Sequence, residues 1–305
     1  MCKLNILYIN HSSQISGAEI VLINLLNLVK QKNIYPIVVL PQNGKLAKKI
    51  RKEKIQVEIV PIPFLVRTYN PLILINYFIN YLRFSKSLYK LIKKNQIKII
   101  HANSFRAAFY SLLVAKLLKI PLLWHMHDIL NYRLFNKIVT KLTSFLVSKI
   151  ICVSEAVKEN LTIFGVNSEK CKVIYNSIDK NKFLGNNIKY GKFRKEFNIP
   201  QDTILIGIIG QIAKWKGQEI FLKAILKVLK KYPKIKSVIV GDVISEKEEN
   251  YKKTLQRFIR KNNLTKIVFL TGFREDVSQI ITDLDIIVHS SIKPDPLPTV
   301  IIEAM

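Results

Sequence analysis

The 305-residue sequence predicts an α/β fold of two doubly wound domains, each a parallel sheet covered by helices on both faces, with the second domain incomplete. Three observations predict it. Short runs of Ile, Val and Leu alternate with longer segments of helical period, which is the pattern of a parallel sheet with crossover helices. The short runs are apolar throughout rather than alternating, as strands buried on both faces must be. The alternation lapses once, over residues 178–200, and then restarts.

In the first half, strands are expected at 4–10, 37–40, 57–60, 97–101, 122–126, 149–153 and 172–175. Helices are expected between them, for example at 18–31, 105–118 and 155–164. The lapse over 178–200 holds Asn181, Gly185, Asn186, Asn187, Gly191 and Pro200 and no long apolar period, so it reads as a link. After it come strands at 204–209, 237–240, 267–270 and 286–289 and helices at 218–232, 248–262 and 276–282. The resulting division is 1–185 and 186–305, two Rossmann-like domains. The second is expected to be cut short, because it shows four strands and stops a few residues into a new helix.

Composition narrows the class. A hydrophobic fraction of 49% supports a packed core and excludes a low-complexity disordered chain. No apolar run reaches the roughly 18 residues of a spanning helix; residues 107–124 contain Lys116 and Lys119, and residues 71–84 contain Asn76 and Asn80. Residues 1–10 read as a first strand rather than a signal peptide. Cys2, Cys152 and Cys171 form no CxxC pair, so neither a disulfide framework nor a zinc site is expected, and a reducing cytoplasm fits. The net charge is +28 and uneven: residues 1–150 hold 23 basic and 4 acidic side chains, with no acid between Glu58 and Asp128. Such a field attracts anions: acidic lipid, nucleic acid or an acidic substrate. Helix-turn-helix, finger and ribonucleoprotein motifs are lacking, which counts against nucleic acid.

Five segments have chemistry to offer. In residues 6–19 a strand ends in a polar turn and Gly17 opens an apolar-periodic helix, whose N-terminus favours an anion; an ordinary βα turn has the same look. There is no GxGxxG, so dinucleotide binding of the dehydrogenase type is disfavoured. Residues 122–128, LLWHMHD, place His125, His127 and Asp128 at a strand's carboxyl end, where parallel sheets bind ligands. Two apart, the histidines share a face if the strand extends that far. One of them can be a satisfied core histidine, and metal ligation lacks a third ligand at suitable spacing.

The third segment, 204–217, ends a strand at Gly210 and sets Gln211, Lys214 and Lys216 before a helix starting near Gly217, the make-up of a phosphate site or of a solvated basic turn. In the fourth, PDPLPTVIIEAM at 294–305, Pro298 suits a helix's first turn, Thr299 and Val300 would offer free amides, and Thr299 and Glu303 face the same way. With Asp295 ahead of the helix, the set suits a polyol phosphate. In the last, 71–94, Arg83, Lys86, Lys90, Lys93 and Lys94 share one helical arc among Tyr77, Phe78, Tyr81, Phe84, Leu88 and Leu91. It can lie on an acidic membrane or be a core helix with a solvated basic face.

Taken together, the segments resemble the family 4 glycosyltransferases with the glycosyltransferase B fold. The resemblance rests on Gly17-Ala18-Glu19, a strand ending in His127, VSEAVKENL at 153–161, VIYNSID at 173–179, GQIAKWKGQ at 210–218, TGFREDV at 271–277 and DPLPTVIIEAM at 295–305. Seven weak motifs in order across nearly the whole chain are specific for the family, though not for a substrate. The resemblance implies two Rossmann-like domains facing a cleft, the N-terminal one binding the acceptor and the C-terminal one a nucleotide-diphosphate sugar. It implies transfer with retention of configuration and no cofactor or metal, the donor diphosphate helping to deprotonate the acceptor.

Residue by residue, the resemblance implies that Gly17 meets the diphosphate and His127 the transferred sugar. Lys216 lies on the diphosphate, Gly272 and Phe273 sit where the base docks, and Asp295 and Glu303 match the paired acids of an E-x7-E motif, the second on the ribose. Thr299 and Val300 complete the donor-binding set. Gln211 stands where many members have arginine, which removes one charge-assisted contact. Asp295 is one methylene shorter than the usual Glu, and the family's second domain continues beyond this point. The expected partners are a nucleotide sugar, a glycan or lipid-linked acceptor and peripheral contact with acidic membrane on the cytoplasmic face. The alternatives are a noncatalytic sugar-nucleotide-binding remnant, a basic nucleic-acid-binding protein and a sugar-nucleotide epimerase of like architecture.

Overall fold

In the computed structural model, residues 4–63, 70–131, 134–179, 183 and 190–305 are described. They fall into two compact units, 1–176 and 177–305. The boundary expected at 185/186 lies outside the described residues.

The first unit runs β1 (Leu4–Ile9), α1 (Gly17–Lys30), β2 (Ile34–Leu40), α2 (Lys45–Lys52), β3 (Gln56–Ile59), α3 (Pro71–Lys94), β4 (Ile99–Ala102), α4 (Phe105–Leu118), β5 (Leu122–Met126), α5 (Leu134–Leu146), β6 (Lys149–Cys152), α6 (Glu155–Ile163) and β7 (Cys171–Val173). All strand pairs are parallel, in the order β3-β2-β1-β4-β5-β6-β7. Order reverses between β1 and β4, so a crevice opens at their carboxyl ends. Right-handed crossovers then put the helices after β1 and β2 on one face and those leading to β4, β5 and β6 on the other; α3, α4 and α5 pack side by side there.

Strand β2 starts three residues earlier than expected, despite Pro36. Pro36 pairs in register with Ile6 of β1, and the pairing with β3 begins only at Ile37, so the missing N–H leaves no gap in the β3 ladder. Helix α3 starts where its sequence commands: the Asn70 side chain accepts from the Leu72 amide at 3.0 Å, and Pro71 fills the first turn. Phe84, Leu88, Leu91 and Ile92 on it are buried. Helix α5 fills the interval between β5 and β6, one of the connections where the alternation predicts a helix; Thr140 and Thr143 on it are buried.

The second unit holds α7 (Lys192–Glu196), β8 (Ile204–Ile209), α8 (Gln218–Leu229), β9 (Ile235–Val240), α9 (Glu249–Lys261), β10 (Val268–Gly272), α10 (Val277–Asp283), β11 (Ile286–Ile287) and α11 (Thr299–Ala304). Its parallel sheet has the order β10-β9-β8-β11, again with a reversal, here between β8 and β11. Ile206, Ile208, Phe221, Leu222, Ile239 and Leu255 form its main core.

The end of the expected link is folded rather than open. Asp283 accepts from the backbone amides of Gly191, Phe193 and Arg194 at 2.5, 2.7 and 3.1 Å, capping α7. The buried Arg194 guanidinium donates to the carbonyls of Pro200, Thr203 and Asp283 and pairs with Asp285 at 2.6 Å. Phe193 and Ile199 join Leu205 and Val238 in a second core. Residues 190–200 therefore belong to the second unit.

Candidate active site

The first unit's polar residues meet one position past three neighbouring strands. Asn10 follows β1, Asn103 follows β4 and His127 follows β5. As the sequence predicts, β5 runs over Leu122–Met126; it does not extend to His127, whose ring centroid is nonetheless 4.0 Å from that of His125. Asn103 Nδ2 donates to Asn10 Oδ1 at 3.0 Å, and Asn10 Nδ2 donates to Glu19 Oε1 at 3.0 Å and to the Ser12 carbonyl at 2.8 Å. His127 Nε2 lies 3.0 Å from Asn103 Oδ1.

Gly17 is the first residue of α1, with Ser16 as its cap; the Ser16 amide and hydroxyl both reach the Glu19 carboxylate. His125 is a satisfied core histidine, 3.2 Å from His101 Nε2 on β4. Burial lowers His101 to about 3 and His125 to about 4, and it pushes His127, with help from both neighbours, well below the usual histidine range. His127 is thus neutral near pH 7.

The second unit's candidates gather at the β8/β11 reversal. After β8, Gly210 and Gln211 lead through a single 3-10 turn, Lys214–Lys216, into Gly217 and α8. Gly217 has φ +75°, and a Cβ there would lie 1.9 Å from the Ser290 carbonyl oxygen. Only glycine lets the chain turn so close to the end of β11. Lys216 Nζ reaches Asp295 Oδ2 at 2.5 Å, and both side chains are largely covered. The Lys216 ammonium also stands 4.3 Å from the centre of the Trp215 ring. Asp295 further meets Ser291 Oγ at 3.4 Å and His289 Nε2 at 3.5 Å; burial lowers the His289 pKa, opposed by Asp295. Ser290 Oγ lies 3.1 Å from the carbonyls of Lys216 and Gly217, tying β11's end to the turn.

Gly272, at the end of β10, accepts from the Gly241 amide at 2.9 Å, and Phe273 beside it is half exposed. Thr299 and Val300 open α11 with Pro298 as its cap rather than its first residue, and Glu303 lies in its last turn. The Gln211 carbonyl accepts from Gln218 Nε2 at 2.8 Å. Sequence reading had passed over His101, Asn103 and Asn10, which need the strand order to be seen together. It had also passed over His289 and Trp215. The adjacency of Trp215 to Lys216 was the available signal. Among the described residues no group of His, Cys, Asp and Glu could hold a metal ion.

Two α/β units of parallel sheet, each with polar residues at the reversal of its strand order, have the make-up of the glycosyltransferase B fold. Residues 15–182 match Glycosyltransferase Family 4 and residues 190–305 match Glycosyl transferases group 1. The chain belongs to the family 4 glycosyltransferases.

Among its relatives is the O-antigen biosynthesis glycosyltransferase WclY of Escherichia coli, 32% identical over 124 residues, covering 41% of this chain and 32% of that protein. Another is the Escherichia coli UDP-Gal:alpha-D-GlcNAc-diphosphoundecaprenol alpha-1,3-galactosyltransferase, 26% identical over 231 residues, covering 72% of this chain and 58% of that one. The crystal structure of Anabaena Alr3699/HepE in complex with UDP is similar over 99% of this chain and 78% of that one, at TM-score 0.82 and 25% identity. The chain spans between about a third and three fifths of the length of these two curated relatives.

Proposed function

We propose that this chain takes part in retaining transfer of a hexosyl group from a nucleotide-diphosphate sugar to a glycan or lipid-linked acceptor, in the synthesis of cell-surface polysaccharide or glycolipid. The observation that supports this best is the covered Lys216–Asp295 pair at the β8/β11 reversal, beside the N-terminus of α8. A cation at a helix's positive end suits a diphosphate. Asp295 pairs with Lys216. A donor diphosphate would take the carboxylate's place on the ammonium and free Asp295 to accept hydrogen bonds from sugar hydroxyls.

As the glycosidic bond breaks, the diphosphate gains charge, and Lys216 stabilises that charge more than it does the ground state. Gln211, Thr299 and Val300 are assigned to the same diphosphate, and Glu303 to the ribose. Gly272 and Phe273 are assigned to the base, Gly17 to the phosphate side of the first unit and His127 to the transferred sugar. UDP-sugars are the first donors to test, since the Anabaena structure holds UDP and a curated relative is named for UDP-Gal.

The acceptor side rests on α3. Its outward arc is apolar over the first three turns, at Leu72, Ile75, Ile79 and Leu82, and cationic over the last three, at Arg83, Lys86, Lys90, Lys93 and Lys94. Leu72 is 74% exposed. In the same layer Phe145 of α5 is 76% exposed, with Leu142 one turn and Ile138 two turns before it. An apolar stretch followed by lysines suits a shallow seat in acidic lipid, with stems snorkelling to the headgroups. No helix among the described residues is long and apolar enough to cross a membrane. Peripheral contact on the cytoplasmic face of the membrane is therefore the proposed location.

The test is release of nucleoside diphosphate from a panel of UDP-sugars with membrane extract as acceptor, for the native protein and Lys216→Ala. The variant is expected to lose about 10²–10³-fold in kcat. Equal turnover in the two proteins would remove Lys216 from the reaction, and no turnover with any donor would remove the reaction.

A further inference from the structure

The hydrogen bonds at the ends of β1, β4 and β5 have a direction, and the direction ends on His127. Both partners of Asn10 Nδ2, the Ser12 carbonyl and the Glu19 carboxylate, are acceptors. Asn10 must therefore turn its NH2 toward them and its oxygen toward Asn103. Asn103 in turn must give its NH2 to Asn10 and present Oδ1 to the imidazole. An amide oxygen cannot donate, so the hydrogen between Asn103 and His127 belongs to Nε2.

Each link is built in. Asn10, Glu19 and Asn103 are buried, and the Asn103 amide is pinned to the Ile9 carbonyl at 2.9 Å. The Glu19 carboxylate is held from its other side by Ser16. Among the described residues His127 Nδ1 has no hydrogen-bond partner, and the ring is neutral near pH 7.

We propose that Glu19, acting through Asn10 and Asn103, is a positioning group that locks His127 as the Nε2–H tautomer, so that Nδ1 meets the transferred sugar as a hydrogen-bond acceptor. The role of the ring toward sugar rests on the function proposed above; the tautomer does not. His127 would thus select for a hydroxyl that can donate at the position it faces. A donor sugar carrying fluorine or a methyl ether there is a poor substrate, since neither group has a hydrogen to give.

The experiment is 15N NMR of the histidine-labelled full chain, with the His127 signals assigned by their loss in His127→Gln. The expected spectrum has a protonated Nε2 and an unprotonated Nδ1 from pH 6 to 8. In Asn103→Leu the acceptor is gone, and the signals should move toward a mixture of tautomers. In Asn103→Asp a carboxylate faces Nε2, and the histidine should titrate at higher pH. In Asn103→Leu kcat should fall about 10–100-fold, the range for a lost partner of a functional histidine, with KM for the donor little changed. A native spectrum showing Nδ1–H overturns the proposal without any variant. So does an Asn103→Leu protein whose spectrum and kcat match the native ones. If the tautomer behaves as stated but no donor is turned over, the relay stands and the transferase reading fails. If turnover is found with the wrong tautomer, the reverse holds.

Discussion

Histidines 101 and 125 set a pH limit on the first unit. Both are buried and neutral, with pKa values of about 3 and about 4 against 6.5 in an unfolded chain, chiefly through burial. Below pH 6.5 the unfolded chain takes up protons that the native one refuses. Stability is therefore full above that point and falls as pH drops toward 4, by about 1.4 kcal/mol per pH unit for each ring. Urea midpoints at pH 7.5, 6.5 and 5.5 should decline in that order, and less steeply in His125→Asn. Midpoints that hold constant down to pH 5 would show that the rings are wetter than their surroundings indicate. Single residues also divide by kind at the β8/β11 reversal: Gly217 is fixed by backbone approach, whereas Lys216 and Asp295 are joined by charge.

At the level of elements, α7 is five residues long and owes its place to one carboxylate. Removing the Asp283 side chain leaves three buried amides without an acceptor. Asp283→Ala should cost the second unit about 3–5 kcal/mol, at one or more for each amide left without an acceptor, read as a loss of chemical-denaturant stability, and Asp283→Asn less. A change under about 1 kcal/mol would mean that water replaces the carboxylate easily.

Helix α3 makes a different demand. The native protein should sediment with acidic vesicles at low salt, and Leu72→Ser/Ile75→Ser/Phe78→Ser should abolish this while leaving the fold intact, because those side chains already face outward. Exchanging Lys86, Lys90 and Lys93 for Gln should weaken binding and its dependence on salt. Sedimentation of the serine variant equal to native would exclude this face. Retention on nucleic acid but not on vesicles would turn the basic arc to the other polyanion.

Across the whole molecule, the sheet was legible because parallel strands announce themselves by unbroken Ile/Val/Leu runs and because helical segments separate them. Candidate positions were legible for the same reason: His127 and Gln211 follow strands, and the carboxyl end is where such sheets bind. What stayed hidden needed partners far away in the chain. Asn103 looks like any loop amide until β4 is known to lie between β1 and β5. Arg194 sits in a polar stretch that reads as a link, yet its contacts at Asp283 and Asp285 are some ninety residues on. Helix α3 was visible as basic and amphipathic, but the apolar half of its outward arc emerged only when Phe84, Leu88 and Leu91 claimed the opposite side for the core.

The glycines at the strand ends of the second unit have a consequence for ancestry. A side chain at Gly217 or Gly241 would run into a carbonyl oxygen 1.9 Å away, so the fold forbids it whether or not any sugar is ever moved. Lys216 and Asp295 are under no such prohibition: an uncharged pair could fill the same space. In a lineage that had ceased to transfer sugars, the glycines would persist while the ion pair drifted apart. Sequencing close relatives of this chain would therefore date the chemistry by its charges, since its glycines would look equally old in a working enzyme and in a descendant that had fallen silent.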